Sequence, residues 1–209
     1  MTSETHRQFS LSAPTLVTTR LVLRVLSHDD IDRLVTELMS DSQVMAYLPV
    51  QPETLPAQRE AALDYVESLS KPWSEHGHGG WAVCLREPVG SKIGPLIGYC
   101  GFFESEPDEA GPALPLDAGP EFGFGYARDH WGNGYATEAA TAALSGLFEL
   151  GFVERVFATC APSNSASRAV LTKCGMRFVG ELDLFNSITD GAGLMLLFIA
   201  ERGTYVGPR

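Results

Sequence analysis

The sequence predicts an α/β (α+β) fold, one domain around a mixed central sheet of about seven strands. Three observations predict it. Segments of apolar–polar alternation interleave with stretches of helical period, which sets strands and helices around one sheet. The first strands have hairpin spacing, so the N-terminal part of the sheet is expected to be antiparallel. No internal repeat or long linker divides the 209 residues, a length that can bury roughly two-thirds of its unfolded surface. Residues 1–14 read as a flexible N-terminal segment and 15–209 as the domain.

In order, 15–26 alternates Leu21, Leu23 and Val25 against polar residues and reads as a strand. Ser27 with Asp30 has the spacing of a capping box, and Ile31, Leu34, Val35 and Leu38 form a helical stripe. Pro49, Pro52 and Pro56 then break the chain before a second helix from Ala57 to Leu69. The turn Glu75–Gly80 enters a strand at Trp81–Arg86, a loop spans Glu87–Pro95, and Leu96–Phe103 pairs back as a strand. Residues 104–120 mix Pro, Gly and acids without period and read as an exposed loop. The strand 121–127, EFGFGYA, precedes a Gly-rich turn and a long Ala-rich helix, Tyr135–Leu150. A strand at Val153–Cys160, a helix at Asn164–Cys174 stopped by Gly175, and strands near Arg177–Leu184 and Leu194–Glu201 complete the order.

Composition removes whole classes of function. Hydrophobic residues make up 44% and charged residues 20%, too apolar for disorder. No run of about 18 apolar residues exists to span a bilayer, and the N-terminus lacks the apolar stretch of a secretory signal, so a cytoplasmic protein is expected. Fifteen Lys and Arg against 26 Asp and Glu, with no basic cluster, argue against nucleic-acid binding. A surface of formal charge −11 attracts cationic partners or simply keeps the protein soluble. Cys84, Cys100, Cys160 and Cys174 follow no zinc or redox spacing and read as buried free thiols.

The segment that carries chemistry is EFGFGYARDHWGNGYATEA, residues 121–139. Glycines in the turn 131–136 let backbone N–H groups point into one concavity, and the following helix adds free N–H groups and a positive dipole end. Together these suit a phosphate or diphosphate. A P-loop is excluded because no Lys follows the glycines, and a Rossmann site because the spacing differs and antiparallel strands come first. A purely structural strand-to-helix turn explains the Gly-x-Gly equally well on its own.

In context, Trp131-x-x-Gly134-x-Ala136 resembles motif A of the GNAT N-acetyltransferases, where Arg/Gln-x-x-Gly-x-Gly/Ala grips the diphosphate of acetyl-CoA. Trp in place of Arg or Gln is usual in the RimJ/RimL-like branch. TTRLVLRVLSHDDIDRL (18–34), SDSQVMAYLP (40–49) and PSNSASRAVLTKCGMRFVGE (162–181) resemble further motifs of that branch, in the right order. The resemblance runs from about residue 15 to 201. It implies a GNAT-like domain with helices on both faces, and an acetyl-CoA-dependent enzyme that acetylates a primary amine, either a peptide N-terminus or a small molecule. It also implies that the strand before the turn splays from its neighbour so that pantetheine pairs with its backbone, and that homodimers are common.

The cofactor-binding residues expected on this basis are Phe124, Gly125, Tyr126, Ala127, Trp131, Gly132, Asn133, Gly134, Tyr135, Ala136, Thr137, Asn164, Ser167 and Arg168. Several have a plainer reading. Thr137 and Glu138 suit a helix cap or dipole partner, and Asn164 suits a cap. Arg168 suits a solvated helix face. Gly123 and Gly125 share one face, leaving room beside the thioester or easing a bulge. An aliphatic amine must lose a proton before attack, so a carboxylate is useful, directly or through water: Glu121 is the candidate base or an exposed acid ending the acidic stretch, and Glu104 is the fallback. A strand N–H would meet the oxyanion. The Tyr that many such enzymes use to protonate the thiolate is absent, Leu171 standing in its place, so Ser167 is the candidate acid or the thiolate leaves unaided.

The acidic loop, with Glu106, Asp108 and Glu109, is expected to attract a cationic acceptor. His76-x-His78 lacks a third ligand, so no metal is expected. His130 reads as a loop histidine, and Trp73 and Trp81 as packing residues or part of an acceptor pocket. The alternative to an enzyme is an acyl-CoA-binding sensor of the same fold that lost the chemistry.

Overall fold

The computed structural model describes residues 13–47, 52–87, 93–104, 119–186 and 191–207. Eight strands form one sheet: β1 (Leu16–Val17), β2 (Leu21–Val25), β3 (Gly80–Arg86), β4 (Ile93–Phe103), β5 (Glu121–Tyr126), β6 (Arg155–Cys160), β7 (Arg177–Asn186) and β8 (Gly191–Glu201), in the order β1-β2-β3-β4-β5-β6-β8-β7. All neighbours are antiparallel except β5 and β6. The α-helices are α1 (Ile31–Leu34), α2 (Ser42–Met45), α3 (Leu55–Ser70), α4 (Pro72–Glu75), α5 (Tyr135–Leu150) and α6 (Ser165–Lys173).

Strand parity sends alternate residues to two cores. On one face Phe122, Phe124 and Tyr126 meet Ala139, Ala140, Ala143 and Leu144 of α5 and Leu171 of α6. On the other, Leu96, Tyr99 and Ala127 meet Leu34 of α1 and Ala62, Val66 and Leu69 of α3. The small Ala side chains bring α5 close to the sheet. Beneath it runs an aromatic row, Trp73–Trp81–Phe102–Phe122–Phe124–Tyr126, with successive centroids 4.8, 6.1, 5.3, 5.8 and 6.3 Å apart, within the favourable range for ring pairs. Trp73 and Trp81 are buried, with their indole N–H groups on the carbonyls of Gly80 and Pro14, and they serve as packing residues. All four cysteines are free and buried, and burial pushes the Cys100 thiol up to about 12 and Cys174 to about 11.

The expected elements differ from the observed ones at particular places. The strand at 15–26 breaks at Thr18–Arg20, because the Thr18 hydroxyl accepts the Leu21 N–H (3.0 Å) while the Thr18 N–H reaches the Leu21 carbonyl (3.0 Å). This adds the eighth strand. β4 starts at Ile93, inside the expected loop, and Pro72 opens a one-turn helix that periodicity did not predict. The first helix is a run of short pieces, with a 3₁₀ turn at His28–Asp30 and a π turn at Val35–Met39 around α1. At its start the Asp30 carboxylate accepts the Ser27 N–H (2.9 Å) and grips Arg24.

Candidate active site

β4 and β5 are matched over their whole length, from Gly98 opposite Tyr126 to Phe103 opposite Glu121. β5 and β6 pair only at Glu121 and Phe157, where the Phe157 N–H also reaches the Pro120 carbonyl (3.2 Å). Beyond that point the two parallel strands part. Since the Ala127 N–H bonds Ile97 (2.9 Å), ladder alternation turns the peptide groups of Gly125 toward Tyr99 and those of Phe124 and Tyr126 toward the split.

This narrows the expectation that residues 124–127 all offer backbone to a ligand. Ala127 is withdrawn, because its carbonyl also accepts the His130 N–H (3.0 Å), and Gly125 serves the β4 ladder. The Tyr126 carbonyl accepts the Trp131 indole N–H at 2.7 Å, which folds the turn back against the strand. The Phe124 peptide groups and the Tyr126 N–H remain for a ligand. Gly123 and Gly125 leave no spare room either. A Cβ on Gly123 would stand 2.8 Å from the Phe103 ring, and one on Gly125 2.9 Å from the Tyr99 ring.

At the open end of the split, Gly132 (φ 75°) and Gly134 (φ 78°) are left-handed, a conformation that costs other residues about 1–2 kcal/mol. A Cβ at Gly132 would meet nothing within 4 Å. The first bond of α5 runs from the Glu138 N–H to the Gly134 carbonyl (3.0 Å). The amides of residues 132–137, covering Gly132, Asn133, Gly134, Tyr135, Ala136 and Thr137, find no acceptor among the described residues. Successive free amides at a helix N-terminus form an anion cradle, and this one fits a diphosphate. Thr137 makes no cap; its carbonyl accepts the Thr141 hydroxyl. Glu138 bonds away from the cradle, to Thr18 and Arg20. His130 lies 6.2 Å, ring to ring, from Tyr135.

Across the split, at the end of β6, the Asn164 side-chain oxygen accepts the Ser167 N–H (3.0 Å) and caps α6, leaving its amide nitrogen without an acceptor among the described residues. Ser167 is half-buried beside Cys160, whose thiol burial raises against the opposing pull of Arg168 and the Ser167 hydroxyl. Arg168 is exposed, with one bond to the Pro162 carbonyl.

Of the two candidate bases, the structure separates their surroundings. Glu121 is half-buried on the α3 face, and its carboxylate accepts the Thr159 hydroxyl at 2.7 Å. Burial raises its pKa, against the lowering effect of the Thr159 bonds. Glu104 is bound to His78 (2.7 Å) in a cleft of about 520 Å³ that His76 and Phe152 also line and that Glu121 does not. A second cleft, about 500 Å³, adjoins Ala127 and is lined by Glu37, Asp41, Arg128 and Asp129, with Arg128 bound to Asp41 (2.8 Å). Among the described residues no group of three or more metal-binding side chains converges. The acidic residues Glu106, Asp108 and Glu109 lie outside the described residues. Among the described residues no helix is long and apolar enough to cross a membrane.

Sequence reasoning missed three features. Thr159, whose bonds lower the Glu121 pKa against burial, follows the apolar run Val156–Ala158 in β6, and its parity with Phe157 was the available signal. Tyr65 of α3 packs on Tyr99 (5.2 Å) and Phe103 (6.2 Å), making an aromatic wall on the face that carries Glu121. Arg20 reaches the cradle from the β1–β2 turn, through contacts far apart in sequence.

The profile of the acetyltransferase (GNAT) domain matches residues 20–177. The uncharacterized protein YkkB of Bacillus subtilis (strain 168) is 32% identical over 167 residues, 78% of this chain and 85% of that protein. FsC-acetyl coenzyme A-N(2)-transacetylase of Aspergillus fumigatus is 31% identical over 79% of this chain and 66% of its own length. The structure of Mycobacterium smegmatis RimJ in complex with CoA-disulfide shares the fold, with a TM-score of 0.66 and 21% identity over 90% of this chain and 85% of that one. With an open cradle beside a split sheet, and a domain match over most of its length, this chain belongs to the GNAT acetyltransferase family.

Proposed function

We propose that this protein is an acetyl-CoA-dependent N-acetyltransferase of the RimJ/RimL-like branch, passing an acetyl group to a primary amine on a peptide N-terminus or a small molecule. One observation carries the reading: the β5–β6 split opens directly onto the free amides of 132–137. Those amides take the diphosphate, with Trp131 holding the turn against β5. The Phe124 and Tyr126 backbone and the Asn164 amide nitrogen take the pantetheine arm, and Arg168 stands ready for a phosphate.

Glu121 removes the proton from the incoming ammonium, directly or through one water, so that a neutral amine attacks the thioester carbonyl. Its raised pKa makes it a stronger base than an ordinary carboxylate. A strand N–H, from Phe124 or Tyr126, meets the developing oxyanion. As the C–S bond gives way to the new C–N bond, the Ser167 hydroxyl passes a proton to the departing thiolate and regains one from the second proton that the attacking nitrogen sheds. The cleft beside Ala127, with more acids than bases, favours a cationic acceptor. Four buried free thiols suit a reducing, cytoplasmic setting.

Calorimetry with CoA, followed by thiol release from acetyl-CoA with peptides, amino acids and amino sugars, tests the reading. CoA uptake with amine-dependent thiol release supports it. Uptake with no release from any amine turns the assignment to a sensor, and no uptake overturns both.

A further inference from the structure

Arg20 lies outside the cradle in sequence but against it in space. Its Nη1 donates to the Asn133 carbonyl (2.8 Å), and its guanidinium carbon stands 4.7 Å above the Tyr135 ring. Nη2 lies 3.5 Å from where a Gly134 Cβ would be. On the other side, Nε donates to one Glu138 carboxylate oxygen (2.7 Å), and the Arg20 backbone N–H to the other (2.9 Å), which also accepts the Thr18 hydroxyl (2.6 Å).

Two consequences follow from elementary geometry and charge. A trans peptide is planar, its C=O and N–H pointing opposite ways. Drawing the Asn133 carbonyl toward Arg20 therefore aims the Gly134 N–H away from Arg20. The same logic applies one peptide pair earlier, where the Asn133 side-chain amide holds the Trp131 carbonyl (3.0 Å) and so orients the Gly132 N–H. Second, Glu138 sits in the first full turn of α5, a carboxylate near the place where a dianionic group would bind. Despite the burial that works against it, the bonds from Thr18 and Arg20 hold that carboxyl below the usual range, so it is charged at neutral pH and needs a counter-charge.

We propose that Arg20 is a positioning residue for the cofactor turn. It orients the Asn133–Gly134 peptide so that the amides converge, and it cancels the Glu138 charge that would otherwise repel the diphosphate. This rests on the CoA reading above. Arg suits the task because its planar fork serves a carbonyl, a carboxylate and a ring face together, which an ammonium cannot.

The test compares wild type with Arg20→Gln, Arg20→Lys, Glu138→Gln and the double variant Arg20→Gln/Glu138→Gln. Each is titrated with CoA and with pantetheine, which lacks the diphosphate, and assayed for acetyl transfer. Arg20→Gln is expected to weaken CoA roughly 10- to 30-fold, the scale of losing charge-assisted bonds. Pantetheine affinity stays level, KM for acetyl-CoA rises in step, and kcat at saturation stays within about threefold. Arg20→Lys, which keeps the charge and fold but loses the fork, falls between. The double variant binds CoA more tightly than Arg20→Gln alone, because the uncompensated carboxylate is gone. Equal CoA affinity in wild type, Arg20→Gln and Arg20→Lys overturns the inference and leaves the CoA reading standing. So does equal loss for CoA and pantetheine, or a double variant no better than the single. A wild type that takes up no CoA overturns both together.

Discussion

Gly123-x-Gly125 and Gly132-x-Gly134 are spelled alike in the sequence and answer to opposite physical demands. The strand pair has ordinary extended backbone, and side chains are forbidden there by crowding, since Phe103 and Tyr99 rings occupy the Cβ positions. The turn pair has open space or distant contacts at Cβ, and side chains are disfavoured there by handedness. One pair makes room for an aromatic wall on the face that carries Glu121; the other lies where the amides of 132–137 find no acceptor among the described residues. A Gly-x-Gly motif thus reports nothing until its φ angles and neighbours are known. Chemistry and cofactor grip are expected to separate along the same line.

The largest effect should come from the strand side. Glu121→Gln keeps an acceptor for the Thr159 hydroxyl but cannot take a proton, so kcat should fall about 10²- to 10⁴-fold. CoA affinity should not change. In the wild type, kcat/KM should rise with pH through the raised Glu121 pKa and then level. Thr159→Val removes a contact that lowers that pKa, so the midpoint should move to higher pH. Stability runs the other way. A carboxyl with a raised folded-state pKa favours the fold below its unfolded pKa and loses that contribution as pH rises through the folded one. Glu121→Gln should therefore raise Tm at pH 8 relative to wild type and leave it unchanged at pH 4. A variant that keeps more than a third of wild-type kcat would remove Glu121 from the chemistry and break the division of labour.

The turn side should respond in binding rather than turnover. Gly134→Val places a β-branched side chain at φ 78°, with strain of about 2 kcal/mol or a reoriented peptide. CoA should bind roughly 30-fold more weakly while kcat at saturation stays near wild type. Gly132→Asn, at a site with free space and in a residue type that tolerates the left-handed region, should cost much less. Equal losses at the two positions would mean that bulk, not handedness, governs the turn.

What was legible in the chain was whatever a short window encodes. Helix α5 lies at Tyr135–Leu150 as expected, because a left-handed glycine closes each end, Gly134 and Gly151, and the Ala stripe between them has helical period. The left-handed glycine turn, the Ser27–Asp30 capping box and the Asn164 cap were readable for the same reason. The break at Thr18–Arg20 was not, because the alternation runs straight through it and the turn is held by side-chain bonds to Glu138. Nor was the choice between Glu121 and Glu104. Glu104 follows β4 and Glu121 opens β5, one on each side of the acidic stretch in sequence, and only sheet register decides that one joins His78 and the other Thr159. The glycine turn is written locally and the surroundings of the two carboxylates by contacts between distant strands, so one is readable in the chain and the other is not.

The smallest effect is the one that most directly separates the two glycine pairs. Gly125→Ala adds a methyl group 2.9 Å from Tyr99 Cε1 and 3.1 Å from Cζ, against a buried ring already packed on Tyr65. Overpacking of this kind costs about 1–3 kcal/mol, and for a chain of this size each 1 kcal/mol lowers Tm by about 2–4 °C. Because no amide of the cradle is touched, CoA affinity should stay within twofold of wild type. Shortening the obstructing ring should relieve the clash, so Tyr99→Leu combined with Gly125→Ala should lose less stability than the two changes summed, the signature of direct contact. If Gly125→Ala instead left Tm alone and weakened CoA, the strand glycine would be answering to the cofactor, and the two pairs would share one purpose after all.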